Sequence, residues 1–186
     1  MSDSPMPNLP EEFESERLTI RAPRVRDAAE IHAAVIESRE MLMPWIRWAK
    51  DEPSLQDRKK HLRKVRRRFL SGKDFSFNLF LRGTDTFVGT CGLAKIDMSV
   101  PKVEIWYWAR KSFVGHGYIT EGVNAVTDCV VKHFGARRVE LHIDDRNERS
   151  WRVAERCGFE LEGISHSYAR GEDGSLENTR VYARIV

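Results

Sequence analysis

Apolar and polar positions change period several times along this chain, and the changes divide it into elements. Leu18-Thr19-Ile20-Arg21 alternates apolar and polar side chains, as a strand with one buried face does. After Pro23 the stretch Asp27 to Ile36 takes on helical spacing, with Ala29, Ile31, Ala33, Ala34 and Val35. Met41 to Trp48 is short, aromatic and broken by Pro44, which predicts a helical turn and loop. Ser54 opens a clearer helix. Asp57, three residues on, suits a reciprocal cap; Leu55, Leu62, Val65 and Phe69 gather near one face, and Gly72 ends the element.

The period then shortens to two. Phe75–Leu81 and Phe87–Ala94, separated by Arg82-Gly83-Thr84-Asp85, read as an antiparallel hairpin, and Val103–Ala109 as the third strand of a meander. A glycine-containing loop follows, then a helix to Phe134 with Ile119, Val123, Val126 and Val130 on one face and Gly135 at its end. Val139–Ile143 is a strand, Ser150–Arg156 a short helix closed by Gly158, and Phe159–Gly163 and Thr179–Ile185 two final strands. A meander followed by strand, helix, strand, helix, strand predicts an α+β fold, one domain around a mixed central sheet of about seven strands flanked by helices. Met1–Pro10 is polar and proline-containing, with no apolar core like that of a secretory signal. Residues 1–12 are therefore expected to be a flexible lead-in, and residues 13–186 the domain.

Composition narrows the class. With 186 residues, 41% hydrophobic and 32% charged, the chain can bury a core and is not a disordered one. Its apolar runs are too short to span a bilayer. A net charge of +3 does not demand a nucleic-acid partner, but eight Lys or Arg residues crowd Arg58 to Arg68. Such a run is most often a solvated helix face; the other reading is a grip on an acidic protein or on RNA. Cys91, Cys129 and Cys157 lie far apart with no CxxC or CxxH spacing, so free buried thiols in a reducing cytoplasm are expected, and no metal site.

Two clusters carry candidate chemistry. Val114-Gly115-His116-Gly117-Tyr118 joins a strand to a long helix. A helix N-terminus offers unpaired amides and a partial positive charge, and glycines let a phosphate approach them. The motif is neither a Walker A loop nor a complete dinucleotide fingerprint, and alone it reads equally well as a plain turn into a helix. The second cluster, Asn147-Glu148-Arg149-Ser150, stands about thirty residues on, before Cys157-Gly158-Phe159. Asn147 or Ser150 could simply cap the short helix. His116 could touch a phosphate or point to solvent. Trp45 and Trp48 could line a cleft or pack the helix on the sheet.

Taken in order, Tyr107-Trp108, Gly115-His116-Gly117-Tyr118-Ile119-Thr120-Glu121, Arg138-Val139-Glu140-Leu141, Asn147-Glu148-Arg149-Ser150 and Gly158-Phe159-Glu160-Leu161-Glu162-Gly163 resemble the GNAT acetyltransferases. Glu16-Arg17-Leu18-Thr19-Ile20-Arg21 and Pro44-Trp45-Ile46 make the chain most similar to the RimJ/RimL branch, named for enzymes that acetylate ribosomal-protein N-termini. The resemblance, over Phe13 to Val186, implies acetyl-coenzyme A as cosubstrate, no metal, and a sheet splayed at the cofactor cleft. It implies that Val114, Gly115, His116, Gly117, Tyr118 and Thr120 surround the pyrophosphate. Trp106, Tyr107 and Trp108 would lie along the pantetheine arm, Asn147 would bond to it, and Ser150 would assist the leaving thiolate. Glu104 is the candidate base, against the plain reading of a solvent-facing strand carboxylate. Several positions depart from the family pattern: Ser112 where many relatives carry Gln or Arg, Val114 where an Arg is common, Trp106 where relatives often have Gly, and Ala169 where some carry a carboxylate.

The implied activity is transfer of acetyl to an amine by direct attack, with a protein or peptide α-amine, such as a ribosomal protein N-terminus, as acceptor. The alternatives are a small-molecule amine or antibiotic acetyltransferase, and a non-catalytic acyl-coenzyme A-binding or RNA-associated module. The expected setting is the cytoplasm, as a monomer or homodimer, without a membrane partner.

Overall fold

The computed structural model describes residues 9–171 and 174–186. Eight strands form one sheet: β1 (Glu12–Glu14), β2 (Leu18–Arg21), β3 (Ser76–Leu81), β4 (Phe87–Asp97), β5 (Lys102–Ala109), β6 (Arg138–Asp144), β7 (Glu160–Arg170) and β8 (Leu176–Ile185). Their order across the sheet is β1-β2-β3-β4-β5-β6-β8-β7. Every neighbouring pair is antiparallel except β5 and β6. Four α-helices complete the fold: α1 (Ala28–Leu42), α2 (Leu55–Leu70), α3 (Tyr118–Phe134) and α4 (Glu148–Arg156).

The local signals act as their chemistry requires. Ser54 Oγ accepts from the Asp57 amide at 3.2 Å and Asp57 Oδ2 accepts from the Ser54 amide at 3.3 Å, so two orphan donors of α2 are satisfied reciprocally. α3 is entered from Gly117 and left at Gly135, both left-handed.

Three expectations need correction. The sheet has eight strands, because Glu12–Glu14 pairs with Thr19–Arg21 as an edge strand. The ordered chain starts before Phe13: Leu9 is only 2% exposed, and the Ala22 amide donates to the Glu11 carbonyl at 2.7 Å. Residues 1–8 of the expected lead-in lie outside the described residues. The last two strands are also longer than their apolar residues suggested. Beyond Gly163, β7 is exposed on both faces, so no alternation of burial marks it, and its pairing with β8 holds it in place.

The sheet separates two apolar layers. Under α3 and α4, Phe77, Val123, Val126, Val139 and Leu141 are fully or almost fully buried. Under α1 lies a smaller cluster with Ile31, Val35, Phe80, Phe87 and Trp108. Phe77 meets Phe13 and Phe69 edge to face, each at 5.3 Å between ring centroids, tying β1 and α2 to the sheet. Phe77→Ala should therefore lower unfolding stability by about 3–5 kcal/mol, the usual cost of emptying an aromatic site that cannot collapse. A fall of under 1 kcal/mol in denaturant unfolding would contradict this packing.

Candidate functional site

The parallel contact between β5 and β6 is short. Lys102 pairs with Arg138, Val103 with Val139 and Glu104 with Glu140, and the ladder then stops. β5 continues to Ala109 beside β4, and β6 continues to Asp144 beside β8. Their facing edges diverge from Glu104 onward, leaving a wedge with backbone groups on both sides. Such an edge can pair with an extended, amide-bearing ligand.

α3 begins beyond the carboxyl end of β5, so its N-terminus faces this wedge. The approach to it is fixed from α1. Arg110 donates to Glu37 at 2.7 Å and Glu30 at 2.6 Å, and the Lys111 and Ser112 amides donate to Ser38 Oγ and Glu37 Oε1. Gly115 and Gly117 then have φ of +87° and +79°, values that side chains resist. A Cβ at Gly117 would point toward Arg17, with Nη2 at 3.4 Å. The first amide beyond Val114 to return to the backbone is that of Glu121, bonded to the Gly117 carbonyl at 3.0 Å. The amides of residues 115–120 therefore have no backbone acceptor among the described residues, the arrangement an anion needs. His116 is exposed; its ring stacks parallel to that of Tyr118 at 5.9 Å. Thr120 Oγ1 accepts from Arg156 Nε at 3.4 Å, so it turns toward α4.

α4 begins beyond the carboxyl end of β6, on the other lip of the wedge. Asn147 is its cap, Oδ1 accepting from the Ser150 amide at 3.2 Å. That settles which residue caps the helix and leaves the Ser150 hydroxyl for other work. Ser150 Oγ donates to the Tyr107 hydroxyl at 3.1 Å, and the Tyr107 hydroxyl donates to the Ser150 carbonyl at 2.8 Å. Burial pushes the Tyr107 phenol upward in pKa, so it stays neutral. Tyr107 thus spans from β5 to α4. Its neighbours on the strand face the other way. Trp108 is buried under α1, with Trp48 5.7 Å away edge to face. Trp106 covers Gly92, where a Cβ would stand 2.3 Å from the indole.

Glu104 belongs to a charged group that the sequence reading saw only in part. Lys95 Nζ is 2.7 Å from Glu104 Oε2, and that hydrogen bond raises the ammonium pKa. Across the last rung, His142 Nε2 lies 3.4 Å from Glu140 Oε2 and 3.9 Å from Glu104 Oε2. Burial would raise the Glu140 carboxyl, but Arg138, bonded at 2.5 Å, outweighs it and holds the group below the usual glutamate range. Lys95 has φ +44°, uncommon for a side-chain-bearing residue, at the irregular stretch where β4–β5 pairing skips from Ala94 to Asp97. Arg138, Glu140, His142 and Asp144 alternate with buried Val139, Leu141 and Ile143. That alternation was readable in the sequence; the partner strand was not.

Two cavities flank this group. One of about 610 Å³ is lined by Trp48, Trp106, His61, Arg68 and Lys95 among others. A smaller one of about 230 Å³ is lined by Pro44, Trp45, Asp144, Ala169 and Glu177 among others. Ala169 carries no carboxylate, but Glu177 is its cross-strand partner. Trp45 and Trp48 therefore border separate cavities. The basic run resolves differently: Arg58 is buried, Arg66 pairs with Glu11 and Arg68 with Asp74. Arg63, Lys64 and Arg67 remain exposed.

Residues 17–160 match the family described as the acetyltransferase (GNAT) domain. The chain belongs to the GNAT acetyltransferases. It is similar to the putative ribosomal N-acetyltransferase YdaF of Bacillus subtilis (strain 168), 29% identical over 151 residues, which are 80% of this chain and 81% of that protein. In fold it resembles RimL, the ribosomal L7/L12 alpha-N-protein acetyltransferase solved with coenzyme A, with TM-score 0.83, 22% identity, and 96% and 97% of the two chains covered. It also resembles the microcin C7 self immunity acetyltransferase MccE solved with acetyl-CoA and AMP, with TM-score 0.84, 19% identity, and 92% and 94% covered. The chain is accordingly a GNAT acetyltransferase. No helix among the described residues is long and apolar enough to cross a membrane.

Gly117→Asp places bulk and negative charge at the unpaired amides. It should abolish coenzyme A binding in a calorimetric titration, and with it the rise in melting temperature that coenzyme A gives the unaltered protein. Binding within threefold of the unaltered protein would move the phosphate site elsewhere.

Proposed function

We propose that this N-acetyltransferase acts on an α-amine at the N-terminus of a protein or peptide, in the cytoplasm, by direct attack on the thioester of acetyl-CoA. The observation that carries the reading is the wedge after Glu104, with Ser150 on one lip and a carboxylate group where the ladder ends. The free edge of β5 at residues 105–109 suits the amides of a pantetheine arm. Asn147, its Oδ1 held by the cap, has its side-chain N–H groups left to donate to the same arm. The pyrophosphate then falls at the amides of Gly115 to Thr120.

The chemistry follows from charge. An amine attacks only when neutral, so it must lose a proton on approach or during attack. Glu104 takes that proton, directly or through a water. The amine nitrogen bonds to the thioester carbonyl carbon and gives up a second proton, the equivalent of the one the thiolate takes up, and the carbon–sulfur bond breaks. Negative charge passes to sulfur, where the Ser150 hydroxyl turns from Tyr107 to donate to it, aided by the amino end of α4. The products are the N-acetyl amine and coenzyme A, the thiolate regaining one proton. Asp144 and Glu177 line the cavity beside Trp45, and Arg146 bonds to both of them. The ribosomal substrate in RimL's name and the putative ribosomal assignment of YdaF support a protein acceptor.

Ser150→Ala should lower kcat about ten- to a thousandfold with little change in coenzyme A affinity, since the contact strengthens only as the thiolate forms. The lost bond to Tyr107 should cost only about 1 kcal/mol of stability. A destabilised variant with unchanged kcat would remove Ser150 from the chemistry. Glu104→Gln should slow turnover most at low pH and recover in part as pH rises, because more of the acceptor is then already neutral. A uniform loss across pH would assign Glu104 a packing role instead. A panel of N-terminal peptides, each compared with its N-blocked form, tests the acceptor class by mass shift. Acetylation of lysine side chains in the blocked forms would overturn it.

A further inference from the structure

The loop before α3 offers amides, but Ser112 and Val114 are uncharged and the nearest cations along the chain are Lys111, exposed and before the turn, and Arg110, tied to Glu30 and Glu37. A guanidinium reaches it from the other end of the chain. Arg17, in the turn between β1 and β2, donates through Nη1 to the His116 carbonyl at 3.1 Å and through Nε to Glu121 at 2.6 Å. Its Cζ lies 4.7 Å from the centroid of the Tyr118 ring, so the plane of the fork is held on a third side. Nη2 is left without a bond among the described residues. It stands 3.4 Å from where a Cβ of Gly117 would be, on the face that glycine keeps open. The side chain is 45% exposed, so a ligand at the loop can reach it.

Glu121 explains why the guanidinium stays there. It lies in the first turn of α3, where its carboxylate would compete with a phosphate for the same positive helix end. Burial would raise its pKa, but bonds from the Ser15 hydroxyl at 2.7 Å, the Arg17 amide at 2.7 Å and Arg17 Nε outweigh it and hold the group ionised. All three donors come from the β1–β2 turn. The carboxylate is thus tied outward, and the same tie aims the free edge of Arg17 at the loop.

We propose that Arg17 is a cofactor-binding residue, its Nη2 edge donating to the pyrophosphate of acetyl-CoA and supplying the charge that the loop lacks. The proposal rests on the pyrophosphate lying at Gly115–Tyr118, as in the preceding section. It assigns to the β1–β2 turn, far from the loop in sequence, a direct part in holding the cosubstrate. A charge-assisted contact of this kind is worth about a tenfold change in affinity.

The test compares acetyl-CoA with S-acetyl-pantetheine, which lacks the pyrophosphate and the nucleotide. In Arg17→Ala, kcat/KM for acetyl-CoA divided by that for S-acetyl-pantetheine should fall about tenfold, mainly through the KM for acetyl-CoA. 3′-Dephospho-acetyl-CoA should lose as much as acetyl-CoA. Arg17→Lys keeps the charge without the fork and should lose about threefold, with a melting temperature near that of the unaltered protein. Four outcomes would overturn the proposal. An equal fall with both thioesters makes Arg17 structural. A fall confined to the 3′-phosphorylated substrate places it at the ribose end. Full recovery of coenzyme A affinity in Arg17→Ala/Glu121→Gln reduces it to a screen for Glu121. Unchanged kcat/KM for both thioesters removes it altogether. Loss of binding in Gly117→Asp with normal binding in Arg17→Ala defeats this proposal and leaves the loop site standing; normal binding in both defeats the loop site.

Discussion

The structure depends on the parting of β5 from β6. A parallel pair needs a crossover, and here the crossover is the loop and α3. Only three rungs form before each strand follows its outer partner, β4 on one side and β8 on the other. Because the two strands run the same way, their carboxyl ends open on the same side. The helices that follow them, α3 and α4, therefore both start at the wedge. Two amino ends and one free strand edge converge without any residue having been placed there singly, which is the topological logic of sites at the carboxyl ends of parallel strands.

That convergence separates charge across the site. Where α3 begins, unpaired amides and Arg17 make a positive seat, and Glu121 is tied away from it. Where the ladder ends, Glu104, Glu140 and His142 gather with Lys95 and Arg138. Two carboxylates on one rung are tolerable because each has a cation within 2.7 Å. On the proposed reading, the phosphate-bearing substrate and the amine are drawn to opposite parts of one cleft, with the reacting bond between them. Tyr107 links the halves, since it grows from β5 and is bonded twice to Ser150 on α4.

Much of this was legible in the residues. Gly115 and Gly117 before an amphipathic helix mark the candidate anion seat, and the Ser54–Asp57 pair and Gly135 mark helix ends, because those signals are local. Asn147 and Ser150 were both readable as caps, and only geometry gave the cap to Asn147. The wedge itself could not be read, since where a parallel ladder stops depends on strands far apart in sequence. For the same reason Glu104 was found without Lys95, Glu140 or His142, and the loop without Arg17. β7 is exposed along almost its whole length, so no alternation of burial marks its end; only pairing with β8 defines it. Arg58 was read as surface, whereas burial beside Trp48 takes it out of the basic face.

The central claim is that coenzyme A lies along β5 with its pyrophosphate at the start of α3. Hydrogen exchange with and without saturating coenzyme A measures this amide by amide. The amides of residues 115–120 have no backbone acceptor among the described residues, so they should exchange quickly in the free protein and slow by at least tenfold when phosphate oxygens accept from them. Alternate amides of β5 between Ile105 and Ala109 should slow with them, while those of α2 stay unchanged. Protection confined to other elements, with residues 115–120 still exchanging freely, would contradict the account.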